Sequence, residues 1–62
     1  MLGVNGLKSN TKEAMEYFLK SAEKGNSTAL NNIGHFYENG LGVKQDHNKA
    51  MEYYLKSAEK GN

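Results

Sequence analysis

The stretch Ala14–Asn26, AMEYFLKSAEKGN, returns 36 positions later as Ala50–Asn62, AMEYYLKSAEKGN, and Phe18 against Tyr54 is the one difference. A chain that repeats itself at a fixed spacing of roughly 20–50 residues is an array of stacked supersecondary units, because each unit leaves an apolar face that a neighbouring unit must cover. With 62 residues the chain holds about one and a half such periods.

The repeated block ends in Lys-Gly-Asn, and this ending reads as a helix stop. Glycine closes a helix through the left-handed conformation, and lysine suits the negative end of the helix dipole. Working back from Gly25, the pattern predicts a helix over about 11–24, opened by Asn10, which stands three residues ahead of Glu13 as in a capping box. The preceding MLGVNGLKSN is rich in Gly, Asn and Ser and reads as a loop. Working forward, Asn26 or Ser27 caps a second helix, about 27–38, that stops before Asn39-Gly40. Gly40-Leu41-Gly42-Val43 is a turn, with Leu41 and Val43 able to tuck towards the core. Asp46 caps a third helix, about 47–60.

On the second helix Ala29, Leu30, Ile33 and Tyr37 share one face with Gly34 beside them, and that face is the predicted core. Gly34 costs about 1 kcal/mol of helix propensity relative to alanine, so its use is to let another helix approach closely. The third helix is apolar over a wider arc: Ala50, Met51, Tyr53, Tyr54, Leu55, Ser57 and Ala58 leave only Glu52, Lys56, Glu59 and Lys60 to water. Such an arc expects neighbours on two sides, which three helices alone do not supply. Glu16 before Lys20 and Glu52 before Lys56 are solvated i, i+4 pairs worth roughly 0.2–0.5 kcal/mol each.

Composition narrows the class of function. Eight lysines, no arginine and seven acids leave a net charge of +1 with the signs interspersed, so there is no electrostatic footprint for nucleic acid or a membrane surface. Cysteine is absent, which removes any disulfide framework, and the first residues carry neither a basic head nor a sustained apolar run. The setting this implies is cytoplasmic. His35 and His47 invite a metal or acid–base reading, yet they lie on different predicted helices with no HExxH pattern and no cysteine, so neither a metal site nor acid–base catalysis is assembled. They read as surface histidines. GLGVKQD lacks the third glycine and the preceding strand of a nucleotide-binding loop, and the serines show no nucleophile elbow. No catalytic residue and no cofactor is expected, and the tyrosines at 17, 37, 53 and 54 read as core.

The residues Ala29, Ile33-Gly34, Tyr37, Gly40-Leu41-Gly42-Val43, Asp46, Lys49-Ala50, Tyr53, Lys56-Ser57-Ala58 and Gly61 together resemble the Sel-one-like repeat (SLR), a relative of the tetratricopeptide repeat. The resemblance covers one complete repeat, 27–62, and a partial one, 1–26. Tyr17 and Tyr53 stand where the family often has Trp, and Ser21 and Ser57 where it often has Ala. The resemblance implies an all-α fold, an antiparallel helix-pair solenoid of three helices, and a non-catalytic scaffold that binds a partner protein or peptide. It places the first helix of each pair on the concave surface. Here that surface is the side of the second helix opposite Leu30 and Ile33: Asn31, Asn32, His35, Glu38 and Asn39, with Thr28 at the rim. Amide side chains there can both donate to and accept from a peptide backbone, and Phe36 stands at the edge of the apolar arc.

Because the sequence stops at a repeat boundary, it has the look of a cut-down array with unpaired terminal faces. Self-association into a homo-oligomer is therefore expected. The alternative to a binding module is a structural or self-associating piece of a longer array with no ligand of its own.

Overall fold

A computed structural model describes the backbone of residues 2–61 and the side chains of residues 11–61. Three helices follow one another: α1 (Leu2–Glu23), α2 (Ser27–Asn39) and α3 (His47–Glu59). The centre of the fold is α2, which packs against α1 on one side and α3 on the other. No strand occurs among the described residues, so the architecture is all-α helix-pair packing.

Local chemistry explains the helix ends. The Asn26 side chain accepts from the Ala29 N–H at 3.2 Å and Asp46 accepts from Lys49 N–H at 3.1 Å, each supplying a partner to an amide the first turn leaves unpaired. At the other end of α2, Gly40 sits at φ 66°, and its N–H and that of Leu41 both donate to the Phe36 carbonyl. The loop returns when Asp46 N–H donates to the Tyr37 carbonyl at 2.9 Å. Gly42, at φ 69°, has a second constraint, since a side chain there would meet the Thr11 backbone at 3.0 Å.

The first helix departs from the sequence reading. It starts at Leu2, so the expected loop over 1–10 is helical from residue 2 and the expected cap at Asn10 lies inside a continuous helix. Once a helical nucleus exists each added residue gains a hydrogen bond. Glycine costs about 1 kcal/mol and asparagine less, while proline, which forces a stop, is absent. Residue 1 lies outside the described structure.

Among the described side chains the core consists of Met15 from α1, Ala29, Leu30 and Ile33 from α2, and Ala50 from α3. Ile33 is completely buried, a burial worth roughly 1.5–3 kcal/mol. Gly34 does what its position predicts. A methyl group there would stand 2.6 Å from Cε1 of Tyr54, so the bare backbone of α2 is the seat of that ring. Ser57, also buried, donates its hydroxyl to the Ser27 carbonyl at 2.8 Å and ties the end of α3 to the start of α2.

Two expected core positions are exposed, and the expected Tyr37, Tyr53 and Tyr54 are half-buried. Leu41 is exposed, because its N–H is held by the end of α2 and its side chain is turned outward, whereas Val43 is half-buried. Tyr17 is 67 % exposed, because α2 is the helix against which the described part of α1 packs and Tyr17 lies on another side of α1.

Candidate functional site

The side of α2 opposite its buried face carries the six residues singled out in the sequence. Thr28, His35, Glu38 and Asn39 are exposed; Asn31 and Asn32 are half-buried. Spacings of three and four bring them onto one face, since the opposite face, Ala29, Leu30, Ile33 and Gly34, is buried.

Two of the six meet in a hydrogen-bonded cluster organised by a residue of α3. The Tyr54 hydroxyl donates to Glu38 Oε1 at 2.6 Å and lies 3.1 Å from His35 Nδ1, with the two rings edge-to-face at 5.4 Å between centroids. A phenol has one proton. With that proton directed at the carboxylate, the hydroxyl accepts from His35, which places the imidazole hydrogen on Nδ1. Partial burial, then the hydrogen bond to Glu38 and its charge, push the Tyr54 hydroxyl up to about 12. Asn39 caps the same end of α2, donating to the His35 carbonyl at 3.0 Å. Asn31, Asn32 and Thr28 stand apart from this cluster, nearer the start of the helix.

Tyr54 was assigned to the core from its sequence, and half of it is there. The signal of its second role was present: it is the position at which the repeated blocks differ, and the hydroxyl it adds is the atom that bonds Glu38 and His35. Phe36 makes a different use of its place, edge-on to Phe18 of α1 at 5.5 Å, and so belongs to the α1–α2 contact.

A groove lies elsewhere in the molecule. Between α1 and α3, over Leu30, a groove of about 460 Å³ is lined by Leu19, Ala22, Tyr53 and Lys56, with Glu23, Glu59 and Lys60 around them. None of the six α2 residues lines it. Tyr53 stacks on Tyr37 at 5.7 Å between centroids, and lysines 49 and 56 lie over the two rings at 5.6 and 5.1 Å. Exposed cation–π contacts of this kind are worth about 0.5–1 kcal/mol each.

The pairing of helices around Gly34, the Gly40–Gly42 turn and the block shared by α1 and α3 have a counterpart among known families: the Sel1 repeat matches at residues 1–26 and again at 27–62. The chain belongs to the Sel1 repeat family. Sel1 repeats are helical solenoid units that generally mediate protein–protein interaction and generally serve as non-enzymatic scaffolds. No curated protein and no solved structure matches the chain. Among the described residues no group of three His, Cys, Asp or Glu side chains is placed to hold a metal ion, and no helix is long and apolar enough to cross a membrane.

Proposed function

We propose that this Sel1 repeat chain is a non-catalytic interaction module that binds a partner protein or peptide on the polar face of α2. The observation that carries the reading is the exposed His35–Glu38 pair, held in fixed orientation by the Tyr54 hydroxyl. A pair ordered before binding loses less side-chain entropy when a ligand arrives. Asn31 and Asn32, one and a half turns earlier, extend the wall with groups that donate and accept at once. Thr28 and Asn39 mark its two ends. Nothing in a cysteine-free sequence calls for an oxidising compartment, and we propose a cytoplasmic setting.

The test is a selection of peptide binders followed by mapping. Amide shifts on adding a selected peptide should concentrate between Thr28 and Asn39. Replacing Asn31, Asn32 and His35 together by alanine should abolish binding while helicity is kept. Peptides that bind the triple variant as well as the parent would refute the assignment.

A second reading, a structural piece that associates with itself, is favoured by Met51 and Leu55, each 59 % exposed on α3. Sedimentation over a concentration series checks it; a folded monomer at every concentration would remove it.

A further inference from the structure

The groove over Leu30 has an apolar floor and a basic wall. Leu30 is buried, Ala22 and Tyr53 are half-buried, and Leu19 stands 38 % exposed in the α1 wall. On the α3 side Lys49, Tyr53, Lys56 and Lys60 follow at spacings of four, three and four, one stripe about 16 Å long. The stacked rings fix two of its lysines, Lys49 over Tyr37 and Lys56 over Tyr53. Lys60 reaches the turn after α1, its Nζ 3.8 Å from where a side chain on Gly25 would begin. Glu23 and Glu59 also stand at the rim, leaving the lysines in excess, and among the described residues no ion pair neutralises them.

Charge and shape together name the occupant. At about 460 Å³ the groove falls in the range of ligand pockets, roughly 300–1,000 Å³. An apolar floor beside three lysines in one stripe suits a chain that offers leucine or aromatic side chains with carboxylates next to them. We propose that the groove binds a short acidic segment of a partner protein, with apolar side chains on Leu19, Leu30 and Tyr53 and carboxylates against Lys49, Lys56 and Lys60. The repeated block does not build the stripe twice. In α1 the corresponding positions are Glu13, Tyr17, Lys20 and Lys24, so the first charge is reversed. The groove shares no residue with the polar face of α2, and the two readings are tested separately.

The test adds a synthetic peptide, DDELFEDLDD, to the isotope-labelled full chain at up to millimolar concentration and follows amide and methyl shifts. Saturable shifts are expected at Leu19, Ala22, Leu30, Tyr53 and Lys56. Replacing every acid of the peptide by lysine, or its Leu and Phe by serine, should weaken binding at least about tenfold, as should Lys49→Gln, Lys56→Gln and Lys60→Gln combined. Circular dichroism verifies that this variant keeps its helices; Leu19→Asn, a single change at an exposed position, should also weaken binding. The Asn31, Asn32 and His35 triple variant should leave the affinity unchanged. Absence of saturable shifts overturns the proposal. So do equal affinity for the lysine peptide, binding indifferent to both the lysine and the Leu19 substitutions, and shifts that gather on the polar face of α2 instead.

Discussion

Residues 14–25 and 50–61 carry the same side chains at every position except Phe18 and Tyr54, yet the two helices bury different sides. In α3 the Ala50 and Ser57 side is closed by α2, and Tyr53 on it is half-buried; the corresponding Ala14 and Ser21 in α1 are only partly covered, and Tyr17 is largely exposed. On the Met15 side the order reverses. Burial here is a property of the neighbour, since an identical helix can use either of two apolar faces and α2 contacts one in each copy. The block is built to be covered twice, and within this chain each copy is covered once.

The largest effect expected from that asymmetry comes from shortening one methionine at a time. Met15→Ala should cost about 2–5 kcal/mol, the range for removing a buried methionine. Met51→Ala, an exposed position without such contacts, should stay within about 0.5 kcal/mol. Urea unfolding of the two variants compares them directly, and equal losses would break the assignment of faces.

Next is the place where the copies differ. Gly34→Ala should destabilise by about 1–3 kcal/mol, because the new methyl group displaces the Tyr54 ring. Helix propensity alone predicts a gain of about 1 kcal/mol, so the sign of the change decides whether close packing governs this glycine. Combining it with Tyr54→Ala should recover part of the loss, since the ring that clashes is gone. A thermal melt of the double variant no better than the sum of the two single ones would remove the ring from the explanation.

How much of this was legible in the sequence follows from how local each cause is. Asn26, Gly40 and Asp46 act on amides and carbonyls within four residues, so their caps were readable from composition and spacing. Ala29, Leu30, Ile33 and Gly34 repeat at helical spacing and announced the core of α2. The start of α1 was not legible, because Asn10 offers a cap that an elongating helix passes through when nothing blocks it. Leu41 was misplaced because its backbone is spent on closing α2. For the candidate site, the exposed face of α2 followed from periodicity, but the Tyr54–Glu38–His35 cluster joins residues of two helices and depends on a ring lying over Gly34. A duplicated sequence also cannot tell which of its two apolar faces is filled.

A smaller contrast concerns the paired serines. Ser57, 3 % exposed, donates to the Ser27 carbonyl, whereas Ser21 Oγ accepts from the Asn26 amide at 3.2 Å in an exposed setting. The Ser27 carbonyl also belongs to the hydrogen-bond ladder of α2 and is not left unpaired, so Ser57→Ala should cost about 0.5–1.5 kcal/mol, the net value of one hydrogen bond. Ser21→Ala should cost less than about 0.5 kcal/mol. Chemical denaturation separates the two. Equal changes would mean that the end of α3 is not anchored through this bond.

A modest effect at neutral pH belongs to Tyr54→Phe, which makes the two blocks identical. The hydroxyl bonds a carboxylate but remains partly in water, so its loss should cost no more than about 1 kcal/mol. The pH dependence is more informative than the size. An ordinary tyrosine titrates near pH 10, and in the folded chain Tyr54 is raised to about 12 by partial burial and by the hydrogen bond and charge of Glu38. Folding therefore favours the protonated phenol. That contribution is complete below about pH 10, where both states keep the proton, and is lost as the pH climbs through about 12, because the unfolded chain ionises first. The parent should thus lose stability across this interval faster than Tyr54→Phe does, and the variant should lack the highest phenolate titration seen in the parent. Parallel stability profiles for the two proteins would show that the hydroxyl has no special tie to Glu38, and the one difference between the repeated blocks would then carry no energetic meaning.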